Sequence, residues 1–154
     1  MTLHFAYGSN MCRAQMRARC PTAQPLGIAT LKDWRFVIGV EGHGSIEPHP
    51  GAIVRGVLWQ VGTRDLAAIN AYENVDSGLY VRRILPVRYR ADLVPALLYV
   101  LRRRGRARPR PGYVHLVADA ARGWGLPEAY VASLRRWSPS GWRGTRPRDT
   151  GEIR

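Results

Sequence analysis

Residues 52–61, Ala-Ile-Val-Arg-Gly-Val-Leu-Trp-Gln-Val, restrict the fold more than any other stretch. Apolar side chains at Ile53, Val57, Leu58, Trp59 and Val61 predict an extended strand. Weaker strand patterns cover 3–7, 27–31, 34–40, 80–90 and 95–101, with Lys32-Asp33 separating the second from the third. Between 41 and 51 stand three Gly, two Pro and two His, which predicts a loop. Helical signals are fewer and later. Residues 11–19 read as a basic helix capped by Ser9 or Asn10, and 64–73 as a helix capped by Thr63. In 112–122, Tyr113, Leu116, Val117 and Ala120 fall at i, i+3, i+4 and i+7, an amphipathic helix, and a last helix begins at Pro127 and carries Tyr130, Leu134 and Trp137. Strands in the first two thirds and helices in the last predict an α+β domain over 1–137, built on a small mixed or barrel-like sheet, followed by a basic Pro/Gly/Arg-rich tail over 138–154.

A chain of 154 residues, 45% hydrophobic and 23% charged, has the composition of one globular domain. No apolar run nears the roughly 20 residues that cross a bilayer. Residues 1–5 lack a basic segment followed by an apolar one, so no signal peptide and no membrane span are expected. Cys12 and Cys20, if helical, lie about 12 Å apart along the axis, too far for a disulfide, and have no zinc-like His spacing. Free thiols without an export signal predict a reducing cytoplasm. The net charge is +13, and 23 of the 24 basic residues are Arg, Lys32 being the exception. A GC-rich coding genome would explain the Arg bias but not the excess of positive charge. That excess is uneven: residues 1–100 carry net +4 and residues 101–154 carry net +9. Such a field attracts anions.

Four features carry potential chemistry, one of them the set Tyr7, Tyr80, Tyr99 and Tyr113, whose phenols suit the wall of a polar pocket but singly read as core or rim. At Tyr7-Gly8-Ser9-Asn10 a strand gives way to a helix, and consecutive N–H groups there form a concavity suited to a carboxylate; the same residues also read as an ordinary turn with a polar cap. Glu73 falls at i+7 from Leu66, on the face that also holds Ile69. A carboxylate there is desolvated and sits at the negative end of the helix dipole; both effects raise its pKa and suit it to proton transfer near neutrality. The competing reading leaves Glu73 in water at a frayed end or pairs it with Arg82 or Arg83. Finally, Arg102, Arg103, Arg104, Arg106, Arg108 and Arg110 place six guanidiniums in nine residues, either a solvated connector or a grip on a phosphate backbone. His4, His43, His49 and His115 show no ligand spacing on one helix, and neither a metal nor an acyl-enzyme is expected.

In combination these pieces resemble the gamma-glutamylcyclotransferase superfamily, the AIG2-like proteins. Phe5-Ala6-Tyr7-Gly8-Ser9-Asn10-Met11 resembles its signature, and residues 52–59 its central strand. Residues 66–75, followed by Tyr80, resemble the helix bearing its catalytic glutamate and the tyrosine seven residues on. Tyr99 falls at its next pocket tyrosine, Pro111-Gly112-Tyr113 at a late proline–tyrosine element, and Gly125-Leu126-Pro127 with Tyr130 at its final helix pair. Asn74 stands where the family commonly has Gly, and Asn tolerates the same left-handed conformation. The resemblance implies a fold with a small barrel, a catalytic helix and C-terminal helices. It implies Glu73 as the catalytic residue, with Tyr7, Gly8, Ser9, Asn10, Tyr80, Tyr99 and Tyr113 binding a small-molecule gamma-glutamyl substrate, and no cofactor. It leaves the leaving group open among amino acids, glutathione, amines and aminoglycosides. A rival expectation is a non-catalytic binder of nucleic acid or another polyanion that uses 102–110 on the same fold.

Overall fold

The strand expected over 52–61 is the inner part of a longer one, β3 (Gly44–Val61), which pairs antiparallel with β1 (Thr2–Ala6) on one side and β2 (Gln24–Ile38) on the other. The computed structural model describes residues 1–138; apart from Ser138, the tail expected over 138–154 lies outside the described residues. Beyond β2 come β4 (Tyr80–Tyr89) and β5 (Asp92–Leu101), and a parallel contact between His4 and Leu97 closes the five strands into a barrel in the order β1-β3-β2-β4-β5. Four helices, α1 (Arg13–Arg19), α2 (Thr63–Tyr72), α3 (Tyr113–Gly123) and α4 (Glu128–Arg135), pack outside it. This is the α+β barrel architecture that the order of strands and helices predicts. No helix among the described residues is long and apolar enough to cross a membrane.

Strand alternation divides the core in two. In β5, Ala96 and Leu98 join Phe5, Leu31, Val54 and Leu58 inside the barrel, whereas Leu97, Tyr99 and Leu101 face the helices. In β3 the helix-facing set is Val57, Trp59 and Val61. Gly56, on the inward set, lies so close to β1 that a Cβ would meet the Ala6 carbonyl oxygen at 2.2 Å. The alternation thus presents Tyr99 to the side where α2 ends.

Several local expectations are corrected. The two strands over 27–31 and 34–40 are one strand, β2, with a bulge between Lys32 and Trp34, where Asp33 adopts φ 69°. The Asp33 carboxylate accepts the Gly51 amide at 2.9 Å, which fixes the bulge. The loop expected over 41–51 begins as a turn, but from Gly44 onward it is β3, paired Phe36 to Ile46 and Trp34 to Pro48. Proline and glycine composition reads as loop, yet a ribbon extending beyond the barrel tolerates proline. Neither Ser9 nor Asn10 caps α1: Ser9–Met11 is a separate 3-10 turn, and Cys12 is the cap residue. The cap of α2 is Gly62 rather than Thr63, and its amide donates to Asp65 Oδ2 at 3.1 Å. In α3 the fully buried stripe is Val114, Val117, Ala118 and Ala121, shifted from the expected one, and α4 ends before Trp137.

Candidate active site

Two chain reversals meet at one hollow. β1 ends at Ala6, and the chain passes through Tyr7 and Gly8 into the 3-10 turn, whose first amides lack intrahelical partners. Across from it α2 ends at Tyr72, leaving Glu73 as its C-cap. Asn74 takes φ 52°, so the left-handed turn survives without glycine and directs the chain into β4. Between them lies a cavity of about 360 Å³, and Tyr7, Gly8, Ser9, Asn10, Glu73, Tyr80, Tyr99 and Tyr113 all line it. The turn at Tyr7–Asn10 is thereby brought to one cavity with residues 63–106 positions later in the sequence.

Three tyrosines are pinned through their hydroxyls. Tyr7 donates to the Tyr99 carbonyl, Tyr80 to the Gly44 carbonyl at 2.8 Å, and Tyr99 to Asn70 Oδ1 at 2.7 Å. The Tyr113 hydroxyl lies against two glycines: a Cβ on Gly8 or on Gly44 would sit 2.7 Å from it. Gly8 has φ −122°, so it is needed for this close approach rather than for a left-handed backbone angle. Burial pushes all four phenols upward, so each is neutral across the physiological range.

The Glu73 carboxyl accepts no hydrogen bond and joins no ion pair among the described residues, with neither Arg82 nor Arg83 as partner. Burial pushes its pKa up to about 7, against a smaller opposing pull from Arg19. It therefore holds and releases a proton near neutrality, in a cavity whose lining also includes the neutral phenols, the Tyr7–Asn10 turn, His43, Glu41 and Arg110. Among the described residues no three His, Cys, Asp or Glu side chains gather as a metal site.

Sequence reasoning did not single out the supports of this cavity. Arg19 donates to Asn10 Oδ1, and its guanidinium lies 3.5 Å from the Tyr72 ring centroid. Tyr72 in turn shares a 3.2 Å hydrogen bond with Ser9 Oγ. Asn10 Nδ2 donates to His4 Nε2 at 3.2 Å while His4 Nδ1 donates to the Leu97 carbonyl at 3.1 Å. Burial lowers the His4 pKa to about 4, which keeps the ring neutral for that relay. Asn70 was the findable member: it precedes Glu73 by three residues on the same helical face. Arg19 and His4 had no signal, because their partners are set by the docking of α1 on the barrel.

The chain is similar to several known proteins. It is 29% identical over 153 residues to the mouse protein named gamma-glutamylcyclotransferase, an alignment covering 92% of this chain and 81% of that one. The human protein of the same name is 28% identical, with the same coverage of both chains. A solved structure named gamma-glutamyl cyclotransferase superposes with a TM-score of 0.81 at 28% identity, covering 87% of this chain and 86% of the other. The model of the AIG2-like family matches residues 53–134, which run from β3 through Glu73 and Tyr113 into α4. With more than half of its length in that match, the chain belongs to the AIG2-like family.

Proposed function

We propose that this protein is a gamma-glutamylcyclotransferase, which cleaves a gamma-glutamyl amide by attack of the substrate's own alpha-amine. The observation that carries the reading is Glu73: a carboxyl without a hydrogen-bond or ion-pair partner among the described residues, raised to about 7, in the cavity that also holds the Tyr7–Asn10 turn. The names of the relatives support the same reading.

In this reading the substrate's alpha-carboxylate sits on the amides of Gly8, Ser9 and Asn10, a turn whose backbone N–H groups suit an anion. Ionised Glu73 takes a proton from the alpha-ammonium. The freed amine attacks the gamma-carbonyl and closes a five-membered ring. Glu73 returns the proton to the amide nitrogen as the old C–N bond breaks. The ring nitrogen then sheds its surplus proton through Glu73, leaving 5-oxoproline and a free amine. The reaction is intramolecular, so the protein chiefly has to fold the substrate and move protons. Tyr7, Tyr80, Tyr99 and Tyr113 shape that pocket as neutral walls. The protein acts in the cytoplasm and needs no cofactor in this scheme.

The test is release of 5-oxoproline from a panel of gamma-glutamyl amino acids, gamma-glutamyl amines and glutathione. Turnover of at least one class supports the reading; a purified, folded protein that turns over none of them removes it.

A further inference from the structure

A second cavity, of about 300 Å³, is lined in part by residues of the β2–β3 ribbon and shares no lining residue with the Glu73 site. Its walls combine Trp34 and Arg83 with Arg102, Arg103 and Arg104, the first half of the connector between β5 and α3. The expected solvated loop is therefore only partly present. Residues 102–104 are exposed, but the chain then folds back at Gly105, whose φ is 129° and where a Cβ would press on Val40 at 2.7 Å. Arg106 closes the fold by bonding Glu47 on β3 at 2.8 Å. The connector thus runs along a groove, with Arg102, Arg103 and Arg104 on its exposed wall.

The charge in this groove is unbalanced. Glu47 is its carboxylate, and Arg35 at 2.5 Å and Arg106 at 2.8 Å already neutralise it. Burial would push Glu47 up, but the bonds from Arg106 and Arg35 outweigh it and keep the carboxylate ionised. Arg83, Arg102, Arg103 and Arg104 have no carboxylate partner among the described residues; Arg102 spends only its Nε, on the Gly78 carbonyl at 2.9 Å. Arg83 lies 5.6 Å from the Trp34 ring centroid, so the cationic side of the groove adjoins a half-buried indole. Val37, Ile46 and Val100 form an apolar floor.

We propose that this groove is a binding site for a nucleotide bearing two or more phosphates. Planar guanidinium forks fit phosphate oxygens two at a time. A concave wall of one sign strengthens the local field. The apolar floor beside Trp34 offers a flat surface that a bare phosphate or a carboxylate metabolite would leave uncovered, whereas a base would cover it. The enclosed volume suits one small ligand, not an extended strand. This site is separate from the cyclotransferase reading and stands or falls without it.

Calorimetric titration of the intact protein at about 50 mM salt with ADP, pyrophosphate, adenosine and a thymidine oligonucleotide tests it. ADP is expected to bind more tightly than either pyrophosphate or adenosine. The double variant Arg103→Ala, Arg104→Ala changes only exposed side chains, so its melting temperature should hold while ADP affinity falls at least about tenfold, the loss expected for charge-assisted hydrogen bonds. No ADP binding by the wild type, or equal affinity in the double variant, overturns the proposal. So does an oligonucleotide or pyrophosphate that binds as tightly as ADP, because that marks general attraction to a basic surface.

Discussion

Helix α2 has a carboxylate at each end, Asp65 buried and Glu73 half-buried, and the two could hardly be treated more differently. Asp65, in its first turn, is 3% exposed and saturated. Its two oxygens accept Thr22 Oγ1 at 2.9 and 2.8 Å, and Oδ2 also accepts the Gly62 amide at 3.1 Å. It sits at the positive end of the helix dipole, where a negative charge is stabilised. Glu73, at the other end, has no donor among the described residues, faces the negative end of the dipole, and is raised to about 7. One carboxylate holds the helix in place; the other is left unsatisfied, and only an unsatisfied group has proton affinity to spare for a substrate. The contrast separates a structural acid from a chemical one by their surroundings alone.

The largest expected effect removes the chemical member. Glu73→Gln preserves the shape and deletes the proton acceptor, so 5-oxoproline release should fall by at least about 10²-fold. A variant with near-normal turnover would break the comparison at its centre. The same substitution should not weaken the fold, and the direction depends on pH. Below about 4.5 the carboxyl is protonated both folded and unfolded, so it contributes no difference. Between about 4.5 and about 7 the unfolded chain ionises while the folded one keeps its proton, so stability declines as pH rises. Above about 7 the full penalty is present. Denaturant melts should therefore show Glu73→Gln matching the wild type near pH 4 and exceeding it above pH 7, by about 2 kcal/mol at most once partial exposure is allowed for. Activity runs the opposite way: kcat/KM should climb with pH and level off above about 7, because only the ionised carboxylate accepts the proton.

Asp65 supplies the mirror experiment. Asp65→Ala strips the Thr22 hydroxyl and the Gly62 amide of their acceptor. Loss of a cap and of buried hydrogen bonds should destabilise the protein by about 1–3 kcal/mol. Turnover per folded molecule should hold within a few fold, measured well below the variant's melting temperature. If Asp65→Ala instead abolished turnover in fully folded protein, the two ends of α2 would not be functionally distinct.

How much of this was legible in the sequence follows from the range of the interactions involved. The inward position of Glu73 could be read from its i+7 spacing to Leu66, because helical periodicity is local. The tyrosines could be placed only through resemblance: Tyr7 and Tyr99 meet across 92 positions of sequence, and no local pattern encodes that. Glu73 and Asp65 look alike on paper, as acids near helix ends; their different fates depend on Thr22, which arrives from the loop before β2. The strand within the expected loop over 41–51 was hidden because its pairing partner, not its composition, makes it a strand. The return of the arginine connector onto Glu47 was hidden for the same reason.

The smallest effects lie in the turn opposite Glu73, where backbone and side-chain roles can be told apart. Gly8→Ala places a Cβ 2.7 Å from the Tyr113 hydroxyl, and that hydroxyl has little room to retreat because Gly44 confines it equally closely. Either the phenol or the turn must shift, and the amides proposed to hold the substrate carboxylate shift with the turn. A rise in KM of about tenfold is expected, one well-placed hydrogen bond to a charged group being worth about 1.5–3 kcal/mol. Ser9→Ala removes only the 3.2 Å contact with Tyr72, a long bond between two neutral hydroxyls. Its Tyr72 partner is 42% exposed and can turn to water, so KM should change by less than about threefold. Steady-state kinetics on the best substrate of the panel ranks the two. If Ser9→Ala proves the more damaging, the hydroxyl rather than the backbone receives the substrate, and the turn works through a side chain as Glu73 does.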